Sequence, residues 1–326
     1  MKQFKRLRSL IRKANSASIL CHQNADPDAV CSAYALYSLL RKTKKKMRIE
    51  IAAPSLSRIS KRVLTHFPEK FVTKPRLGES DFIFAVDTNT IEQLGEWRGS
   101  VALRRSNLIV IDHHALHPRT SETALMVVCD ETAASTCEII YEIYQSFGVK
   151  PSRLDAVAMI LGIYYDSRRL LLAKSKTFQV LSELTAYGLD MEKAVSILQV
   201  PVQESERIAR LKATQRAQIR RVGKWIVAAT VVGSYQASVA RALIMLGAHV
   251  AVVGGEKKGR LRISLRSISD FYWKTKIHLG RDIAIPVGER FQGMGGGHAL
   301  AAGISGSGDV AQAITQCLDL ISTKFN

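Results

Sequence analysis

Residues 19–36 read ILCHQNADPDAVCSAYAL. An apolar strand, expected over Ala17–Cys21, runs into a polar loop holding His22, Asp26 and Asp28, and a helix over Ala29–Leu40 follows. In an α/β sheet such a loop opens at the carboxyl ends of the strands, where ligands bind. Three metal-competent side chains within seven residues are hard to explain by packing. One of Asp26 and Asp28 can serve as the cap of the following helix, a common use of aspartate. His22 and the other acid would still need a reason.

The pattern recurs farther along the chain. Strands are expected at Arg48–Ala53, Phe82–Val86, Leu108–Ile111 and Ala124–Cys129, with helices at Ala133–Phe147, Leu154–Tyr165 and Ser175–Tyr187. This alternation is the signature of a parallel sheet with helices on both faces. DFIFAVDTNT leaves Asp87 just past its strand, and NLIVIDHHA leaves Asp112, His113 and His114 past the next. Three strand ends carrying mixed Asp and His side chains converge on one crevice, a donor set that suits a pair of divalent cations.

Beyond residue 200 the character changes. QESERIARLKATQRAQIRR, residues 203–221, is polar and basic with a narrow apolar stripe at Ile208, Leu211 and Ile219, and is read as a linking helix. A second alternation follows, with strands at Trp225–Val232, His249–Val253 and Leu261–Arg266 and helices at Gln236–Leu246 and Val310–Ile321. The expected fold is therefore α/β in two parts: a parallel-sheet domain over residues 1–198, a helical linker over 199–221, and a smaller α/β domain over 222–326.

The second part carries FQGMGGGHALAAGISG, residues 291–306. Its glycines remove the Cβ atoms that would hold the backbone away from an anion, so exposed amides there can cradle a phosphate. His298 is expected at the mouth of a helix. In GRLRISLRS, alternation puts Arg260, Arg262, Ser264 and Arg266 on one face and Leu261, Ile263 and Leu265 on the other.

HQNADPDA, AVDTNT and IDHHA together resemble the first three motifs of the DHH phosphoesterases, a family holding RecJ-like exonucleases, nanoRNase-like oligoribonucleases, cyclic-dinucleotide phosphodiesterases and family II pyrophosphatases. LGIYYDSRR, residues 161–169, resembles the fourth, with Asp166 as its acid and Ser167 where threonine is more usual. Asp130, after ALMVVC, is the rival, but DETAASTCEII resembles the stretch ahead of the fourth motif, which favours Asp166. GGGH with AAG resembles the DHH-associated C-terminal domain, so the likeness covers about residues 17–305.

The resemblance implies an active site in the cleft between the two domains. There His22, Asp26 and Asp87 would bind one cation and Asp28, Asp87, His113 and Asp166 the other, Asp87 bridging. Manganese suits this set best, and magnesium or cobalt also fit. Two such cations activate a water and neutralise phosphoryl oxygens. His114 would face the substrate, Asp112 would orient a ligand histidine, and Arg266, Gly295, Gly296, Gly297 and His298 would hold the substrate's nucleotide or phosphate. The implied activity is that of an exonuclease on single-stranded or short RNA or DNA. A small-nucleotide phosphodiesterase or phosphatase, for cyclic dinucleotides or bisphosphorylated adenosine, is the enzymatic alternative. A non-catalytic nucleic-acid-binding subunit, a homodimer, or a replication or repair partner belongs to the same range of expectations.

Composition narrows the classes. Forty-seven lysines and arginines against 28 acids give a net charge of +19, which favours a polyanionic partner. Basic runs at 2–13, 41–48 and 207–224 can follow a phosphate backbone or simply be solvated surface. Aromatic residues make up only 7%, which argues against an extended base-stacking platform, leaving Tyr235, Tyr272 and Trp273 as isolated candidates. Five scattered cysteines with no C-x-x-C pair read as reduced thiols in a cytoplasmic protein. No apolar run reaches the ~18 residues needed to cross a membrane. The acid-free segment 1–13 has the composition of a transit peptide, but Phe4, Leu7, Leu10 and Ile11 share one helical face, so it is expected to pack on the fold.

Overall fold

A computed structural model describes residues 2–115, 117–199, 202–257 and 259–323. The chain divides into two compact units, Met1–Val200 and Pro201–Asn326.

The first unit is built on six strands: β1 (Ser16–Leu20), β2 (Arg48–Ala52), β3 (Phe71–Val72), β4 (Phe82–Val86), β5 (Leu108–Asp112) and β6 (Met126–Cys129). Their order is β3-β2-β1-β4-β5-β6 and every pairing is parallel. β1 and β5 are buried along their whole length, so LIVID reads as an apolar run up to its terminal aspartate, while the buried serines of SASIL are hydrogen-bonded, Ser18 Oγ to Ser80 Oγ at 2.7 Å. One face packs on the helices Pro27–Thr43, Thr136–Phe147 and Arg153–Asp166 through Leu36, Ile140 and Ile160, all fully buried. Short helical turns close the other face around Leu94, Trp97 and Val101. The basic N-terminal helix Lys2–Lys13 docks through Leu7 and Ile11, both fully buried, as its apolar stripe predicts.

Chain direction reverses across this sheet between β1 and β4: β1 leads outward to β2 on one side, and β4 leads to β5 on the other. The loops after β1 and β4 therefore diverge and leave a crevice at their carboxyl ends, the topological switch point of a doubly wound sheet.

The second unit holds a mixed sheet of β7 (Gln218–Val222), β8 (Trp225–Val231), β9 (Val250–Lys257), β10 (Arg260–Ser267), β11 (Met294–Gly297) and β12 (Ala301–Ser307), in the order β11-β12-β10-β9-β8-β7. Only β8 and β9 run parallel. The helix Val310–Thr323 covers one face, and Gln236–Met245 with Glu204–Arg216 the other. Two sequence expectations are corrected here. Residues 203–221 are not one helix: Glu204–Arg216 is helical, but Gln218–Val222 is an edge strand returned by the two-residue turn Gly223-Lys224, with Gly223 at φ +56°. Nor does His298 open a helix. It sits in the turn of a β-hairpin, because β12 pairs residue for residue with both β10 and the glycine strand β11. Among the described residues, no helix is long and apolar enough to cross a membrane.

Candidate metal centre

The loop after β1 is tied down by its backbone. Gln23 N donates to Gln93 O (2.7 Å), Asn24 N to Ser55 Oγ (2.8 Å) and Ala25 N to Ser55 O (2.9 Å). Asp26 then does two things at once. Its Oδ1 accepts from Asp28 N and Ala29 N (3.0 and 3.1 Å), capping the helix that Pro27 begins, and its carboxylate also lies within one donor group with His22 and Asp87.

Asp28 is fully buried, and the amides of Thr136 and Cys137 donate to its two oxygens at 2.6 and 3.2 Å. Those amides belong to the first turn of the helix Thr136–Phe147, whose unsatisfied N–H groups and positive dipole end favour an anion. Burial drives the Asp28 carboxyl well above its ordinary range, and the neighbouring Asp87 and Asp166 add to this.

Asp87 leaves β4 with φ +54°, a left-handed conformation that aspartate tolerates better than most residues and that turns its side chain into the crevice. It is almost fully buried. Its Oδ2 faces His22 Nε2 at 3.8 Å, and its Oδ1 lies 3.7 Å from both His113 Nε2 and His114 Nδ1 while accepting from Thr136 Oγ1 at 2.9 Å. Burial, with Asp26 and Asp112 nearby, raises this carboxyl to about 7.

Asp166 ends its helix with Oδ2 2.8 Å from His113 Nε2. That contact is close but poorly aligned: among the described residues His113 Nε2 is a buried nitrogen with no hydrogen bond, while Nδ1 lies 3.4 Å from Ala133 O. Burial pulls His113 down, but Asp166, Asp28 and Asp87 outweigh it and push the imidazole up to about 9. Asp28, His113 and Asp166 form a second donor group beside the one made by His22, Asp26 and Asp87, and within each group the donor atoms lie inside 4.8 Å of one another. Crowded buried carboxylates and a buried imidazole nitrogen without a hydrogen bond mark a site suited to positive charge, and the donors fit divalent cations.

Asp112 departs from the sequence reading. It holds the imidazole of His114, whose Nδ1 donates to Oδ1 at 2.7 Å while His114 N donates to the same oxygen at 3.0 Å, and not that of His113. The two-residue spacing makes this local loop the natural partner. The bond to Asp112 raises His114, which is half exposed.

Asp130 lies in another network. Lys176 Nζ (2.8 Å) and Thr132 Oγ1 and N (2.6 and 2.9 Å) occupy it; burial would raise its carboxyl, but these partners hold it at about 2. Sequence reasoning missed Thr136, which ties Asp87 to a helix start, and Gly162. A Cβ on Gly162 would stand 2.3 Å from Cys137 Sγ and 2.4 Å from Asp28 Oδ1.

In the second unit, Gly295 and Gly296 line a cavity of about 500 Å³ with Arg262, Ser264 and Gln236. Gly297 pairs with Ala302, His298 is exposed in the hairpin turn, and Arg266, opposite Ala301, donates from Nη1 to Leu265 O. Those three do not line that cavity, whereas Arg262, two strand periods from Arg266 on the same face, does. Trp273 is exposed with Lys276 over its ring, and Tyr235 bonds to Ser205 and Gln203.

The model of the DHH family, N-terminal domain, matches residues 16–163. An uncharacterized protein of Methanocaldococcus jannaschii is 32% identical over 324 residues, covering 96% of this chain and 95% of that one. A cyclic-di-AMP phosphodiesterase of Geobacillus thermodenitrificans is 27% identical over 283 residues, 81% of this chain but only 42% of that protein. Among solved structures, an exopolyphosphatase-related protein from Bacteroides fragilis superposes with a TM-score of 0.66 at 16% identity, covering 99% of this chain and 96% of that one, a likeness of fold.

Proposed function

Since the chain belongs to the DHH family, we propose that it is a metal-dependent phosphodiesterase that degrades single-stranded or very short nucleic acid from an end. The observation that carries this reading is the placement of Asp87, whose two oxygens face two separate donor groups at the switch point of the sheet. In this reading His22, Asp26 and Asp87 hold one divalent cation and Asp28, Asp87, His113 and Asp166 the other, manganese being the best match to mixed carboxylate and imidazole donors. When bound, such a pair supplies Lewis acidity at the phosphoryl oxygens and an acidified water.

The chain's own residues do the rest. Asp28 is fixed on a helix start and Asp87 by Thr136, so neither has to reorganise. His114, whose imidazole Asp112 holds and biases toward the protonated form, offers its other ring nitrogen to a phosphoryl oxygen that gains charge. In the second unit the glycine strand and Arg262, with Arg266 and His298 close in sequence, supply amides and cations for the nucleotide. The net charge of +19 supports a polyanion over a single small nucleotide.

A second reading, a cyclic-dinucleotide phosphodiesterase, is favoured by the likeness to the Geobacillus enzyme, although the chain spans less than half of that protein. Incubation with Mn²⁺ and end-labelled RNA and DNA of two to about twenty nucleotides, beside cyclic-di-AMP, separates them. A ladder of stepwise products on linear substrates is expected. Cleavage of the cyclic substrate alone would move the assignment to the second reading, and cleavage of neither would refute both.

A further inference from the structure

Immediately beyond Asp166 the backbone does something costly. Arg168, Arg169 and Leu170 take φ of +52°, +58° and +69°, three successive non-glycine residues in the left-handed region. Glycine enters that region freely, and helices commonly end on a single glycine there. The turn is nonetheless ordered. Arg168 N donates to Tyr165 O (3.1 Å), Arg169 N to Tyr164 O (2.8 Å), Leu170 N to Ser167 Oγ (3.1 Å) and Leu172 N to Ser167 O (2.9 Å). Downstream it is anchored by Lys174 Nζ on Thr132 O and Lys176 Nζ on Asp130.

What this turn displays is unused. Both arginines are exposed, and neither has an ion pair or side-chain hydrogen bond among the described residues. Leu171 and Leu172, 82% and 53% exposed, follow directly. Arg168 is two residues from Asp166, so its Cα lies within about 7.6 Å of the Asp166 Cα, a distance that a side chain of arginine's length can span. Strain retained beside a chemically dense site, carrying unpaired guanidiniums, points to a ligand that needs them there. Guanidinium is the group that pairs with phosphate through parallel hydrogen bonds.

Resting on the phosphodiesterase reading above, we infer that Arg168 and Arg169 grip the phosphate next to the scissile one, with Leu171 and Leu172 as an apolar ledge for its sugar or base. The protein thereby prefers linear substrates carrying at least two phosphates over those with one. The plain alternative is that the arginines only complement the negative end of the helix Arg153–Asp166.

Arg168→Gly separates the two, because it removes the charge and the backbone strain together. The measurement is kcat/KM with Mn²⁺ on a 5′-phosphorylated dinucleotide and on the same dinucleotide without that phosphate, alongside the melting temperature of each variant. The inference expects the preference for the phosphorylated substrate to fall about tenfold, mainly through KM, while the melting temperature rises by about 2–4 °C. Arg168→Lys, which keeps charge and strain, should restore part of the preference without the thermal gain. A lower melting temperature with an unaltered preference would establish the helix-end role and overturn the inference alone. Cleavage of neither dinucleotide by the wild-type protein would overturn the phosphodiesterase reading, and the inference with it.

Discussion

Asp87 illustrates how one residue can be poor for stability and yet sit among the donors proposed to hold the cations. Its carboxyl is buried beside other acids and raised to about 7, so its charged form weakens the metal-free fold. Asp87→Asn is therefore expected to lower turnover about a thousandfold or more while leaving the metal-free melting temperature equal or higher. Retention of activity within a few-fold of wild type would refute the bridging role. Asp166→Asn and Asp130→Asn should part company. The first should abolish turnover. The second should leave turnover nearly intact and cost a few degrees of melting temperature at neutral pH, because Asp130 is held at about 2 by Lys176 and Thr132. A depressed acid contributes stability above its unfolded value near 3.9 and loses it as pH falls through the folded one, so the thermal penalty should vanish toward about pH 2. The reverse pattern would place the fourth acid at Asp130. His22, Asp26, Asp28 and Asp87 were legible in the sequence because their residue types and strand-end positions are themselves the signal. The partner of Asp112 and the service of Thr136 to Asp87 were not, since hydroxyl contacts and imidazole orientation leave no spacing pattern.

Elements succeed or fail here by how closely backbones approach. The helix Arg153–Asp166 lies against the start of Thr136–Phe147 at Gly162, where a methyl group would collide with Cys137 Sγ and Asp28 Oδ1. Gly162→Ala should cost about 1–3 kcal/mol and displace Asp28, lowering both thermal stability and manganese affinity. Unchanged stability and affinity would show that the helices slide apart without consequence. The central strands were readable as apolar runs because both sheet faces are covered, and their observed limits differ from expectation by a residue or two. β7 was hidden because Gln218–Val222 is exposed along nearly its whole length and so carries none of the burial pattern that marks a strand. The glycine strand was hidden for the opposite reason. Gly295 is pressed against the backbone at Ala284, where a Cβ would come within 1.6 Å of the carbonyl oxygen, so packing against backbone imposed its conformation. The left-handed run at 168–170 contains no glycine or asparagine to announce it.

For the whole molecule, the donor cluster ties protons to stability. Folding raises Asp87 to about 7 and His113 to about 9, and the two act in the same direction. Stability from the Asp87 proton is fully present below about pH 4 and lost as pH rises through 7, and that from the His113 proton is present below about pH 6.5 and lost through 9. Divalent cations need both groups deprotonated. The rise in melting temperature on adding Mn²⁺ should therefore grow from about pH 5.5 to about pH 8. A thermal shift that shrinks over this interval would contradict the cluster's role as a cation site. The switch-point arrangement has a further consequence for how the first unit comes into being. Its donors arrive from positions as far apart as His22 and Asp166, and each depends on a different strand end or helix end. No partially folded chain lacking any one of those ends can bring the set together, so the proposed affinity for a cation is expected only at the last stage of assembly. Bound ion would then slow amide exchange across the entire parallel sheet instead of around the loops alone, acting as a latch on global unfolding.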